Sequence, residues 1–151
     1  FLNFLKDESC GKCVPCREGI RQMLKILSRI CDGKGEEKDI QLLEEISDVM
    51  KKSCLCALGK TAPNPILTTI KYFRDEYEAH IRDKKCPAGV CKALFTFKIT
   101  DNCTGCGACA KMCPQNAISG EKEQIHSIDQ SLCIKCGVCF DICNFNAIIK
   151  E

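Results

Sequence analysis

No apolar run in this chain approaches the roughly 20 residues needed to cross a bilayer, and tryptophan is absent altogether. A membrane-spanning helix is thereby excluded. Excess charge is missing too: 22 Lys and Arg against 20 Asp and Glu leave a net +2. That balance calls for neither nucleic acid nor a membrane surface as a partner. No G-x-G-x-x-G loop or other dinucleotide cradle occurs, so a nicotinamide site of that kind has no place here. The chain opens on Phe1, not Met, which reads as a processed or excised piece. A missing signal peptide then says little about the parent. At 151 residues there is room for one medium domain or two small ones.

What the chain has instead is cysteine: sixteen of them, most in three tight groups. These read Cys10-x2-Cys13-x2-Cys16, Cys103-x2-Cys106-x2-Cys109-x3-Cys113-Pro114 and Cys133-x2-Cys136-x2-Cys139-x3-Cys143. An even count could also describe a secreted disulfide scaffold. Disulfide frameworks spread their cysteines along the chain, however, whereas repeated x2 spacings pack several thiolates into one short loop. Such loops suit one metal centre better than paired bridges. Metal-loaded thiolates require a reducing compartment, and the expectation is a cytoplasmic protein.

The organisation divides near residue 92. Ile20, Met23, Leu24, Leu27 and Ile30 follow helical spacing, predicting a helix from about Pro15–Arg17 to the stop at Gly33 and Gly35. A second helix is expected from about Glu36 to Lys51, with Ile40, Leu43, Ile46, Val49 and Met50 inward. A third should run from Pro65 to about Ile81 on Ile66, Ile70, Phe73 and Tyr77. Phe1 to Lys6 suits a short first helix. Amphipathic faces of this kind must be buried against one another, which predicts a small helical bundle over residues 1–83. Residues 84–92, with Pro87 and Gly89, read as a hinge. The charged run Arg74 to Glu78 has the spacing of a solvated helix face, and no catalytic residue is identified.

Residues 93–151 contain an internal repeat: Cys103 to Ser119 and Cys133 to Ile149 both match C-x2-CG-x-C-x3-C-x3-AI. Strands are expected at Phe95 to Ile99 and Gln124 to Ile128. A domain this small has a thin core, so metal centres would supply much of its folding free energy. The segment resembles the two-cluster bacterial ferredoxins. That resemblance implies one 4Fe–4S cube on Cys103, Cys106, Cys109 and Cys143, and another on Cys133, Cys136, Cys139 and Cys113, each fourth ligand crossing from the other run. One departure is visible: Pro114 follows Cys113, but Asn144 follows Cys143. The expected fold class is α + (α+β), a small helical bundle followed by a ferredoxin-like two-cluster domain.

The first cysteine group is Glu8-Ser9-Cys10-Gly11-Lys12-Cys13-Val14-Pro15-Cys16-Arg17-Glu18-Gly19, and further on come Cys56-Ala57-Leu58-Gly59, Thr61-Ala62-Pro63-Asn64-Pro65 and Tyr72-Phe73-Arg74-Asp75-Glu76-Tyr77-Glu78. Together they resemble the NADH-binding flavoprotein subunit of complex I and its relatives, closest to the branch in NAD(H)-linked, electron-bifurcating iron-only hydrogenases. By that resemblance Cys10, Cys13, Cys16 and Cys56 hold a third 4Fe–4S cube, with Cys54 competing for the fourth place. It further implies an FMN and NAD(H) domain preceding this segment, a hydrogenase subunit as neighbour, and ferredoxin as redox partner. An NADH dehydrogenase, an NAD-dependent formate dehydrogenase and a free-standing ferredoxin-like carrier are the alternatives.

Four cysteines remain: Cys31, Cys54, Cys86 and Cys91. His80-x5-Cys86 and Cys91 offer three ligands within twelve residues. A fourth thiolate would complete a three-cysteine, one-histidine zinc set; Cys31 is the first choice and Cys54 the alternative. The same residues also read as free buried thiols beside a surface histidine. His126, in an expected strand, reads as ordinary surface.

Overall fold

The computed structural model describes residues 1–151. The chain forms two compact units, Phe1–Leu94 and Phe95–Glu151. Residues 84–92 belong to the first. No helix is long and apolar enough to cross a membrane.

The first unit is helical: α1 Leu2–Glu8, α2 Val14–Cys31, α3 Lys38–Ser53, α4 Ala57–Thr61, α5 Asn64–Tyr72 and α6 Arg74–Glu78, followed by a π-helical turn Ala79–Asp83 and a single 3-10 turn Lys92–Leu94. Helix α2 begins where Pro15, in its first turn, needs no hydrogen-bond partner. It ends in a Schellman motif, with Gly33 N–H on the Ile30 carbonyl (3.1 Å) and Lys34 N–H on the Arg29 carbonyl (2.9 Å). Gly33 supplies the left-handed residue, at φ +74°. The stripe Cys16, Ile20, Met23, Ile26 and Ile30 is buried against Ile40, Leu43 and Met50 of α3. Gly19 lets the two helices close, because a Cβ there would run into the Met50 thioether.

Two expectations for this unit are corrected. Val49 is 53% exposed: the inward stripe of α3 is Ile40, Leu43, Ser47 and Met50, and Ser47 is tolerated there because its hydroxyl donates to the Leu43 carbonyl at 2.6 Å. The expected single helix over 65–81 is three pieces. At Phe73 the backbone leaves helical geometry (φ −134°, ψ 37°), and Phe73 itself is exposed. The short helix α4, just after Cys56, has no counterpart among the expected elements.

The second unit has the elements β1 Phe97–Ile99, α7 Ala108–Lys111, β2 Ile118–Ser119, β3 Ser127–Ile128, α8 Val138–Ile142 and β4 Ile148–Lys150. Strand β1 pairs antiparallel with β4 (Phe97 opposite Lys150), and β2 with β3 (Ile118 opposite Ile128). The strands are shorter than the sequence pattern predicts. The core is Phe95, Phe97, Cys109, Ile118, Cys139 and Ile148, with Phe95 and Phe97 meeting edge to face at 5.4 Å. Six core residues, two of them cysteine, are little apolar mass for a unit of this size.

Candidate metal centres

Two cavities open in the second unit, each enclosing with its mouth about 350 Å3. Cys103, Cys106, Cys109 and Cys143 line one; Cys133, Cys136, Cys139 and Cys113 line the other. Each cavity thus takes three sulfurs from one loop and the fourth from the other half of the repeat. The loops turn at Gly107 (φ +73°) and Gly137 (φ +90°), the residues that start α7 and α8.

The repeated Ala-Ile tail has a visible purpose. Asn116 and Asn146 are left-handed, at φ 50° and 48°. Just beyond them Ala117 N–H donates to Cys113 Sγ and Ala147 N–H to Cys143 Sγ, each at 3.3 Å. Both alanines and the isoleucines after them are buried. Burial pushes the Cys109 thiol up and the Cys139 thiol up to about 11, so losing these protons requires a compensating positive centre. Four soft sulfurs around one cavity, with main-chain donors on the sulfurs, fit an iron–sulfur cluster.

His126, expected at the surface, is not there. It is 5% exposed and forms part of the wall of the cavity lined by Cys103, Cys106, Cys109 and Cys143. Its Nδ1–H donates to the Gln124 carbonyl at 3.1 Å, and Gly120 makes room for the ring. The repeat pairs it with a phenylalanine. A Cβ on Gly107 would lie 3.9 Å from His126 Nε2, and one on Gly137 would lie 3.9 Å from Phe97 Cζ. Imidazole and phenyl ring are thus corresponding walls of the two cavities. The available signal was the two-residue alternation of β3, with exposed Ser127 between buried His126 and half-buried Ile128.

In the first unit the Cys10–Cys16 loop leads into α2. Cys10 is exposed, Cys13 half-buried and Cys16 buried at the foot of the helix. Arg17 Nη1 braces the loop by donating to the Gly11 carbonyl at 2.5 Å. Cys54 and Cys56 come from the break between α3 and α4. Cys56 is exposed, and its thiol is lowered by the N–H groups of Gly59 and Leu58. Cys54 is buried, and its thiol is raised by that burial and by Cys16, Cys13 and Cys56 nearby. The structure therefore gathers Cys54 with the first cysteine group, away from His80.

The third constellation is His80, Cys86 and Cys91, whose ligand atoms lie within 4.8 Å of one another. His80 sits on the π-helical turn, whose wider winding directs it inward. Its Nδ1–H donates to the Glu76 carbonyl at 2.7 Å, leaving Nε2 free to face Cys91 Sγ at 3.4 Å. That tautomer is the one a metal-binding imidazole needs. Burial raises both thiols, but for Cys86 the N–H groups of Cys91 and Val90 outweigh it and lower the thiol. Cys91 stays raised by burial and by neighbouring Cys31. Cys31, in the last turn of α2, is exposed and within reach of this group.

Comparison with known proteins follows the same division. Residues 1–80 match the family described as the NADH-ubiquinone oxidoreductase-F iron-sulfur binding region, and residues 102–147 match the 4Fe-4S dicluster domain. The NADP-reducing hydrogenase subunit HndC of Solidesulfovibrio fructosivorans is 53% identical over 127 residues, 83% of this chain and 26% of that protein. An NADH-quinone oxidoreductase subunit of Mycobacterium tuberculosis is 49% identical over 87 residues, 58% of this chain and 20% of that one. Among solved structures, an NAD+-reducing NiFe hydrogenase in its H2-reduced state matches 54% of the chain and 14% of its own, with a TM-score of 0.51 and 32% identity. The chain spans about a quarter or less of the length of these relatives.

Proposed function

From the premise that this chain belongs to the NADH-ubiquinone oxidoreductase-F iron-sulfur binding family, with a 4Fe-4S dicluster domain behind it, we propose that it is the electron-transfer portion of a multisubunit NAD(H)-linked oxidoreductase. The observation that carries this reading is the crossed lining of the two equal cavities, four cysteines each. Cys103, Cys106, Cys109 and Cys143 hold one 4Fe–4S cluster, and Cys133, Cys136, Cys139 and Cys113 another. Cys10, Cys13, Cys16 and Cys56 hold a third. The clusters supply one-electron transfer. The chain's own residues fix the sulfurs, keep water from the buried faces and set hydrogen bonds to them.

A hydrogenase-type parent is favoured over an NADH-quinone oxidoreductase because the hydrogenase relative matches 127 residues and the quinone oxidoreductase relative only 87. FMN and NAD(H) belong to another part of that assembly, a hydrogenase subunit and ferredoxin are its partners, and the reducing cytoplasm is its compartment. Anaerobic titration tests the assignment. Dithionite should reduce the clusters of the chain alone and NADH should not, whereas NADH should reduce them in the complete complex. Bleaching of the isolated chain by NADH would contradict it.

We also propose that His80, Cys86, Cys91 and Cys31 bind zinc. The support is the convergence of three ligand atoms, the Nε2-free tautomer of His80 and the nearness of Cys31. Cys86→Ser should remove zinc from metal analysis and leave every cluster spectrum intact; loss of a cluster instead would show the thiol misassigned.

A further inference from the structure

One sulfur of the first group is surrounded differently from the others. Ser9 Oγ lies 3.4 Å from Cys16 Sγ. The same hydroxyl oxygen accepts the Gly11 N–H at 3.3 Å, so its own hydrogen is free to point at the sulfur. A metal-bound Cys16 has no proton to give, which makes Ser9 the donor. On the buried side stands Cys54, only 3% exposed. Gly59 presses these two cysteines together. A Cβ there would lie 2.7 Å from Cys54 Sγ and 3.3 Å from Cys16 Cβ.

We propose that Ser9 and Cys54 are positioning residues that donate hydrogen bonds to the Cys16 sulfur and raise the reduction potential of the cluster held by the first cysteine group. The inference rests on the proposed function, which places a cluster there. One-electron reduction adds a negative charge to cluster and thiolates. Donors aimed at a ligand sulfur stabilise that charge more than they stabilise the oxidised form. Cys16 is the buried ligand of its loop, where water contributes least and fixed donors count most. Cys54 is then a fifth thiol in the neighbourhood, serving through its S–H and not as a ligand.

The test is redox-titrated paramagnetic resonance on the anaerobically purified full chain, comparing wild type with Ser9→Ala, Cys54→Ala and the double variant. Each variant should keep the first cluster's signal while its midpoint moves down. At the wild-type midpoint the ratio of oxidised to reduced cluster should rise severalfold in each single variant. In the double variant it should rise about tenfold, a shift of about 59 mV for a one-electron centre. The dicluster-domain centres should not move. Ser9→Thr keeps the hydroxyl on an extended residue (φ −69°, ψ 125°) that tolerates a branched side chain, and should keep the wild-type midpoint. Should Ser9→Ala fail to load, Cys54→Ala reads the same sulfur from the buried side. An unchanged midpoint in a loaded variant overturns the proposal. So does loss of the cluster in Cys54→Ala alongside its retention in Cys56→Ala, because Cys54 would then be a ligand. A wild-type chain with no third signal would overturn the proposed function itself, and this inference with it.

Discussion

Asp39 is fully buried, and the first unit tolerates that charge only because it is completely answered. Arg29 reaches across from α2 and donates to the carboxylate through Nε at 3.2 Å and through Nη2 in a still closer contact, and the Glu36 N–H donates at 2.9 Å. Removing the carboxylate leaves the half-buried Arg29 guanidinium with only the longer ion pair to Glu36, at 3.6 Å, near the junction of α2 and α3. Asp39→Ala should therefore destabilise the loaded protein by about 3 kcal/mol, read as a lowered thermal midpoint with unchanged cluster spectra. At Cys56 the consequence is spectroscopic. Cys56→Ala should remove the first cluster's signal and about four irons, while leaving the dicluster domain untouched. Retention of all three signals would move the ligand assignment to Cys54.

Among the elements, the repeat is symmetric in its cavities and asymmetric in its loops. Gly105 is left-handed at φ +69°, and a Cβ there would come within 2.6 Å of the Glu123 backbone. The corresponding position in the other half is Lys135, also left-handed (φ 55°), whose Nζ donates to the Phe95 carbonyl at 2.6 Å. Gly105→Ala should prevent loading of the cavity lined by Cys103, whereas Lys135→Ala should still load its own. Iron content with paramagnetic resonance on the two variants checks the contrast. Elements built on local rules were legible in the sequence. Helix α2 follows from its apolar spacing, its early proline and Gly33, and the cysteine loops from their spacing alone. The break at Phe73 was not, because the spacing of Ile66, Ile70, Phe73 and Tyr77 continues across it, while the Phe73 backbone itself leaves helical dihedrals after a last helical bond to the Thr69 carbonyl at 2.8 Å. His126 escaped because its burial depends on Gly120 and on a cavity assembled from both halves of the repeat. Cys54 could be placed only once the turn between α3 and α4 had brought it beside Cys16.

For the whole molecule, apolar burial is unequally shared. The helical unit has a continuous core from Leu2 to Ile81, while the dicluster unit has a core cluster of six buried residues beside two cysteine-lined cavities. Its fold should depend on metal in a way the helical unit does not. Chelation that strips iron should melt the Phe97–Ile99 and Ile148–Lys150 pairing while much of the helical signal in circular dichroism survives; simultaneous loss of both would show one cooperative unit. The claim beneath all of this is that twelve cysteines hold three four-iron centres. Iron and acid-labile sulfide, measured with spin quantitation on fully reduced, anaerobically purified chain, test it most directly. The account predicts about twelve irons, about twelve sulfides and three one-electron centres per chain; a ceiling of about eight irons, with no signal dependent on Cys16, would contradict it.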